Sequence, residues 1–369
     1  MEDPLEIFCV CAPGLEAFLA DEMVAYGFAA PQVVPGGVVF AGGWTDVWRA
    51  NLELRGASRV LVRIGTFMAF HLAQLDKRAR QFAWGAVLRR DVPVRVQVTC
   101  KASKIYHAKA AAQRIETALT ETHGIPVSAT ADLVIKARIE DNRVTLSLDS
   151  SGAALHIRGH KQAVGKAPMR ETLAALMLRA AGYTMGEPVL DPMCGAGTFV
   201  IEAAEMAMGL QPGRSRAFAF EGLASFDAEG FSDLRQALGA RAPTTAFWGS
   251  DRDQGAVQMA RANAAQAGLS EVTRFACHGA SEARPPPGPP GLVIVNPPYG
   301  GRVGTKKMLY ALYGRFGETM RSHFKGWRIA LVTSEPGLAK ATGLPWQQQR
   351  APIPHGGLKV WLWQTVALA

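Results

Sequence analysis

Apolar and polar positions switch period several times along the chain, and each switch marks a predicted element. Glu6 to Cys11 alternates as a strand, Pro13-Gly14 turns, and Leu15, Phe18, Leu19 and Met23 repeat at helical spacing through Leu15 to Tyr26. A strand follows around Gly37 to Phe40, giving a small βαβ-type unit. Val92 to Thr99 alternates again, Tyr106 to Thr120 is an amphipathic helix, and Asp132 to Glu140 with Arg143 to Ser150 predict a hairpin through Asp141-Asn142. The aperiodic run Arg158 to Gly165 reads as a connector.

Beyond the connector, the pattern alternates strictly. Helix Arg170 to Ala181, strand Pro188 to Leu190, helix Thr198 to Met208, strand Thr245 to Ser250, helix Gln254 to Ala267, strand Gly291 to Val295, helix Leu309 to Phe324 and strand Arg328 to Thr333 succeed one another. Such alternation predicts a doubly wound, mainly parallel α/β sheet. The proline-rich run Pro285 to Pro290 sits directly before one of these strands, so it reads as a rigid loop feeding the sheet rather than as a recognition motif.

Composition narrows the class. With 369 residues, 48% apolar and 19% charged, the chain can pack two or three domains. No apolar run reaches the ~20 residues of a membrane-spanning helix. The first 25 residues are acidic and carry no basic leader, so the expected location is the cytoplasm. Five scattered cysteines (Cys9, Cys11, Cys100, Cys194, Cys277) build neither a disulfide framework nor a zinc site, and no metal is expected. Cys9 and Cys11 fit one face of a strand.

The net charge of +9 is concentrated in one stretch. Residues 49–114 hold 14 Lys/Arg against Glu53, Asp76 and Asp91, which points to a polyanion-facing surface in the first half. A solvated face on a structural domain would show the same bias.

Candidate chemistry lies just after the strands, where open parallel sheets bind ligands. Asp191-Pro192-Met193-Cys194-Gly195-Ala196-Gly197-Thr198 leads from a strand into a helix. It completes neither a dinucleotide fingerprint, because Val200 stands at the third glycine position, nor a P-loop. An acid four residues ahead of G-x-G suits a ligand carrying an amino-acid zwitterion and a nucleoside without phosphates. After the next strand, Gly249-Ser250-Asp251-Arg252-Asp253 places Asp251 to accept from ribose hydroxyls, while Asp253 suits a helix cap. Asn296-Pro297-Pro298-Tyr299 follows a third strand. Its prolines remove backbone donors, leaving carbonyls, the Asn amide oxygen and a tyrosine face as a setting for the exocyclic amine of a base.

Together these three segments resemble motifs I, II and IV of class I S-adenosylmethionine-dependent amino-methyltransferases. Cys11 to Glu16, Ala167 to Ala174 and Asp191 to Gly195 are similar to segments of the THUMP-domain RNA guanine-N2 methyltransferases, which include the bacterial 23S rRNA enzymes. The resemblance implies three parts: an N-terminal ferredoxin-like part over 1–50, a THUMP RNA-binding domain over 51–160 and a Rossmann-like class I methyltransferase domain over 161–369. It implies S-adenosylmethionine as cofactor, held by Asp191, Met193, Cys194, Gly195, Gly197, Thr198, Asp251, Arg252, Ser281 and Asn296. The usual acid contacting adenine is missing from Ala276 to Ser281, leaving backbone or Ser281 for that contact.

Asn296, Pro297, Pro298 and Tyr299 would form the catalytic loop, acting on the N2 amine of a guanosine in structured RNA, 23S rRNA first and tRNA second. Thr99 to His107 resembles the THUMP strand-to-helix segment, and Lys101, Lys104, His107, Lys109, Arg114, Arg158 and Lys161 are the expected phosphate contacts. Adenine-N6 or cytosine-N4 methylation of DNA is the nearest rival, since N-P-P-Y serves any exocyclic amine. A THUMP-containing tRNA thiolation enzyme would need an S-G-G-x-D-S run, which is absent. A non-catalytic RNA-binding assembly factor is the remaining alternative.

Overall fold

The computed structural model describes residues 4–159, 169–237, 239, 241–299, 305–347 and 351–369. The chain divides into two compact units, one of residues 1–11, 20–155 and 216–237, the other of 12–19, 156–215 and 238–369.

The first unit is built on a seven-stranded sheet. Strands β1 (Leu5–Val10), β2 (Gln32–Val34), β3 (Gly37–Gly42), β4 (Arg59–Met68), β5 (Val94–Lys101), β6 (Leu133–Glu140) and β7 (Arg143–Asp149) lie in the order β2-β3-β1-β4-β7-β6-β5. Every neighbouring pair is antiparallel except β5 and β6. Helices α1 (Glu16–Ala25), α2 (Trp44–Glu53), α3 (Leu72–Gln81) and α4 (Ala108–Thr117) connect the strands.

Two turns follow directly from residue type. Asp141 (φ 51°) and Asn142 (φ 63°) are both left-handed, the conformation of a two-residue hairpin, and they join β6 to β7. In β4 the register with β7 slips between Arg63 and Gly65. A side chain at Gly65 would stand 2.5 Å from the Phe82 ring, so the irregularity sits where only glycine fits.

Three expectations are corrected here. The first segment is not a βαβ unit, because the β2–β3 hairpin reverses the chain and β3 pairs antiparallel with β1. Residue 50, the expected first boundary, falls inside α2, and β1 is shared between β3 and β4, so no break separates the strands on either side. The expected second boundary at 160–161 lies outside the described residues. Residues 216–237 were expected in the C-terminal domain, yet they belong to the first unit. Aromatic burial explains that: Phe220, Phe226 and Phe231 surround Trp48 of α2 at ring-centroid distances of 5.8–6.3 Å.

The second unit carries the alternating pattern. Strands β8 (Val189–Asp191), β9 (Phe247–Asp251), β10 (Thr273–Cys277), β11 (Leu292–Val295), β12 (Arg328–Thr333), β13 (Ile353–His355) and β14 (Leu358–Gln364) stand in the order β10-β9-β8-β11-β12-β14-β13. All pairs are parallel until β14, which runs antiparallel to β12 and β13. Helices α5 (Glu171–Ala180), α6 (Thr198–Met208), α8 (Gln254–Gln266), α9 (Lys306–His323) and α10 (Pro336–Ala341) belong to this unit, while α7 (Ala228–Gln236) belongs to the first.

The sheet grows outward from β8 through β9 to β10, then returns to place β11 on the other side of β8. That reversal makes the carboxyl ends of β8 and β11 a topological switch point, the place where such sheets hold ligands. Beneath it, Leu190, Val293, Val295, Phe316, Met320, Ile329 and Leu331 form a buried core with Tyr313. A doubly wound, mainly parallel α/β sheet in the C-terminal half is what the sequence predicted.

Candidate active site

Three loops and one helix converge on the switch point. The first loop leaves β8 at Asp191, whose carboxylate is 2% exposed and accepts from the Met193 amide at 3.1 Å. Burial pushes its pKa up to about 8, against a downward pull from the Met193 N–H and with a further upward push from Asp251. The two glycines of this loop serve different ends. Gly195 (φ 52°) has nothing within 4 Å of the point where a side chain would start. Gly197 (φ 85°) opens α6, and a side chain there would meet Ala260 at 3.1 Å and Phe275 at 3.3 Å. The first glycine leaves space for a ligand; the second allows close packing.

The second loop presents Asp251. Its Oδ2 accepts from the Gly195 amide and its Oδ1 from the Asp253 amide, each at 3.0 Å, so backbone donors fix the carboxylate and tie the first loop to the second. Asp253 caps α8, accepting from the Gly255 and Ala256 amides at 2.8 and 3.4 Å. Gly249 has no room for a side chain, which would stand 2.7 Å from the Phe275 ring. Cys194 is buried, and burial, with Asp191 and Asp251 nearby, drives its thiol pKa far upward. It packs as an inert apolar group.

The third loop follows β11. Asn296 Oδ1 is buried and has no hydrogen-bond partner among the described residues. Tyr299 packs its partly buried ring against the core. The Pro298 carbonyl accepts from the Tyr313 hydroxyl at 3.3 Å.

Met193, Asp251, Arg252, Ser281, Asn296 and Pro298 line one cavity of about 600 Å3, within the range of small-molecule sites. Asp191, Cys194, Gly195, Gly197 and Thr198 are not among the residues that line it. The sequence missed the wall supplied by α9, where Met308, Ala311, Leu312 and Arg315 also face this cavity. Their i, i+3, i+4, i+7 spacing was the available signal, and Met308 is 62% exposed, unusual for a side chain on a helix packed against a core. Ser281 is positioned by a contact from α9 as well: its carbonyl accepts from the Thr319 hydroxyl at 3.4 Å. Glu282, the acid nearest the missing adenine contact, is used locally, accepting from the Gly279 amide.

These features fit a cationic nucleoside cofactor. The carboxylates of Asp251 and Asp253 and an amide oxygen that is unpartnered among the described residues border the cavity. Residues 158–358 match the family model described as RMKL-like, methyltransferase domain, and residues 6–61 match the RlmL ferredoxin-like domain. The chain belongs to the RMKL-like methyltransferase family. A Synechocystis protein named "Putative RNA methyltransferase slr0064" is 33% identical over 364 residues, covering 95% of this chain and 94% of that one. "Ribosomal RNA large subunit methyltransferase K/L" of Chromohalobacter salexigens is 33% identical over 370 residues, covering 94% of this chain and 50% of the relative. This RMKL-like chain therefore spans about half the length of that relative. The solved structure of "SMU.472, a putative methyltransferase complexed with SAH" superposes with a TM-score of 0.90 at 26% identity, with 100% of both chains covered. The cofactor of this RMKL-like methyltransferase is S-adenosylmethionine.

The expected RNA contacts separate into three groups. Lys101, Lys104, His107, Lys109 and Arg114 are exposed on the first unit, around the end of β5 and along α4. Lys101 pairs with Glu140 at 2.8 Å, and the Lys104 ammonium lies 5.6 Å from the Phe70 ring centroid. Beside them Tyr106, 72% exposed, packs 4.2 Å from the His107 ring. Arg158 is a correction. It is 1% exposed and pairs with the equally buried Glu202 of α6 at 3.2 Å, because an acid on a buried helix face requires a cation beside it. Lys161 lies outside the described residues. Among the described residues no helix is long and apolar enough to cross a membrane, and no group of three His, Cys, Asp or Glu is placed to hold a metal.

Proposed function

We propose that this methyltransferase modifies RNA, transferring a methyl group to the exocyclic N2 amine of a guanosine, with large-subunit ribosomal RNA as the substrate class. The observation that carries the reading is the buried Oδ1 of Asn296, which has no partner among the described residues and stands at the rim of the cofactor cavity. An acceptor held without a donor costs free energy, and an amine N–H is the group that would satisfy it.

When bound, S-adenosylmethionine supplies an electrophilic methyl group. Asp191 offers its carboxylate to the cofactor's ammonium, and Asp251, held by two amides, keeps a lone pair on each oxygen for the ribose hydroxyls. Asn296 Oδ1 and the Pro297 carbonyl accept the two protons of the target amine. The nitrogen lone pair, otherwise delocalised into the ring, is thereby localised toward the methyl group. Tyr299 covers the face of the base and orients it for in-line approach. The base must leave its stack to enter.

The names of the Synechocystis and Chromohalobacter relatives support an RNA substrate, as do the exposed cations of the first unit, which suit phosphates. Tyr106 offers an aromatic face among them. The test incubates the protein and labelled S-adenosylmethionine with separate unmodified rRNA and tRNA pools, followed by nucleoside mass spectrometry. N2-methylguanosine from the rRNA pool is expected. Its appearance only from tRNA would overturn the substrate class, and a methylated adenine or cytosine would overturn the base.

A further inference from the structure

The loop after β11 has few backbone donors of its own. Pro297 and Pro298 have no amide N–H, so the loop lacks two of the backbone donors that would ordinarily cross-link a turn. Its carbonyls must be held from outside, and α9 reaches the loop at this point. Tyr313 is 1% exposed, and its hydroxyl lies 3.3 Å from the Pro298 carbonyl oxygen and 3.4 Å from Thr333 Oγ1 at the end of β12.

The one phenol proton is shared between these two acceptors. Thr333 Oγ1 also accepts from the Glu335 amide at 3.2 Å, so the oxygen that helps orient the tyrosine hydroxyl is itself fixed by backbone. Burial also raises the phenol's pKa well above its ordinary value, so the proton stays in place at any working pH. Both contacts are long for O–H···O pairs, leaving the loop room to settle as a base enters.

We propose that Tyr313, oriented by Thr333, is the positioning residue of the methyl-transfer loop, setting where the Asn296 and Pro297 acceptors stand for the incoming amine. The proposal rests on the amine-transfer reading above for its kinetic consequence, but not for its structural one. Tyr313 is not among the residues that line the cofactor cavity. Its effect should appear in kcat and in the order of the loop, and not in cofactor affinity.

Tyr313→Phe keeps the buried ring and removes the hydroxyl. Label transfer, counted irrespective of which base is modified, should fall at least tenfold in kcat, with KM for RNA and the calorimetric affinity for S-adenosylhomocysteine changed less than threefold. Thr333→Val should lower kcat by a smaller factor, and the double variant should be no slower than Tyr313→Phe, because both changes act through the one tyrosine hydroxyl. Hydrogen–deuterium exchange needs no substrate: in Tyr313→Phe the Asn296 and Tyr299 amides should exchange at least tenfold faster, with β11 unchanged. Faster exchange with no methylation of any nucleic acid by the wild type would sustain the positioning role and sink the amine-transfer reading. Unchanged loop exchange, unchanged kcat, or equal loss of cofactor affinity would overturn the positioning role.

Discussion

Asp191 shows how burial turns a familiar residue into a pH-sensitive one. Its pKa is near 8 when folded and 3.8 ordinarily, so the folded chain holds a proton that the unfolded chain has released between those values. The stability this group contributes is present below about pH 4 and is lost as pH rises to about 8. With the proposed role of Asp191, cofactor binding should run the other way, because the ammonium would require the carboxylate. Affinity for S-adenosylhomocysteine should rise by up to about tenfold per pH unit from pH 6 to 8 and level off above, with proton release detectable by calorimetry in buffers of different ionisation enthalpy. A flat profile would mean that Asp191 does not face the ammonium. Asn296→Ala should separate the two halves of the site, lowering turnover by at least about a hundredfold while cofactor affinity stays within threefold. Equal loss of both would contradict the assigned role. Asp191, Asp251 and Asn296 were legible in the sequence because each directly follows an apolar strand, so a local pattern places it. Arg158 was misread for the complementary reason: sequence gives the sign of a charge but not its burial, and Glu202 is 44 residues away.

Among the elements, the eight read in the alternating C-terminal half fall within a few residues of their place, since strand and helix periods switch cleanly there, but β10, α10, β13 and β14 were not read. In the first unit β2, β4, α2, α3 and α7 were not read. β4 carries Arg59 and Arg63 amid its apolar residues, and its irregularity at Gly65 interrupts the two-residue period that would have marked it. The cavity wall on α9 was missed although the helix itself was found, because periodicity identifies a buried face and says nothing of a second face bordering a pocket. One glycine on α9 sets its packing. A side chain at Gly317 would stand 1.8 Å from the Thr342 carbonyl oxygen, beyond what rotamer adjustment can relieve. Gly317→Ala should therefore cost about 1–3 kcal/mol in urea unfolding as α9 shifts outward. A neutral effect would show that α9 has freedom the close contact denies.

For the molecule as a whole, charge was legible as a regional bias, and the structure resolves that bias into exposed and buried cations. Lys104, Lys109 and Arg114 are exposed, so their replacement by Gln should weaken RNA binding similarly for all sequences. The slope of log affinity against log salt should become shallower by about 2 to 3, at roughly 0.7–0.9 per phosphate contact. Cofactor affinity, measured in parallel, should not change. An undiminished salt slope would place the RNA elsewhere on the chain. Domain boundaries were the least legible feature, because they depend on which distant segments share a core, and no local pattern reports that.

The return of residues 216–237 to the first unit bears on how this chain can be divided. A fragment starting at residue 158 contains the whole matched methyltransferase stretch, yet it also carries Phe220, Phe226 and Phe231 without the Trp48 and α2 that bury them. Such a fragment should expose that aromatic cluster, bind an apolar dye and aggregate. A fragment that also deletes 216–237, bridged by a short glycine linker, should stay monomeric in size-exclusion chromatography. Sequence order and structural membership thus differ here: separating the two units requires cuts on both sides of 216–237, and residues 12–19, far off in sequence, belong with the second unit.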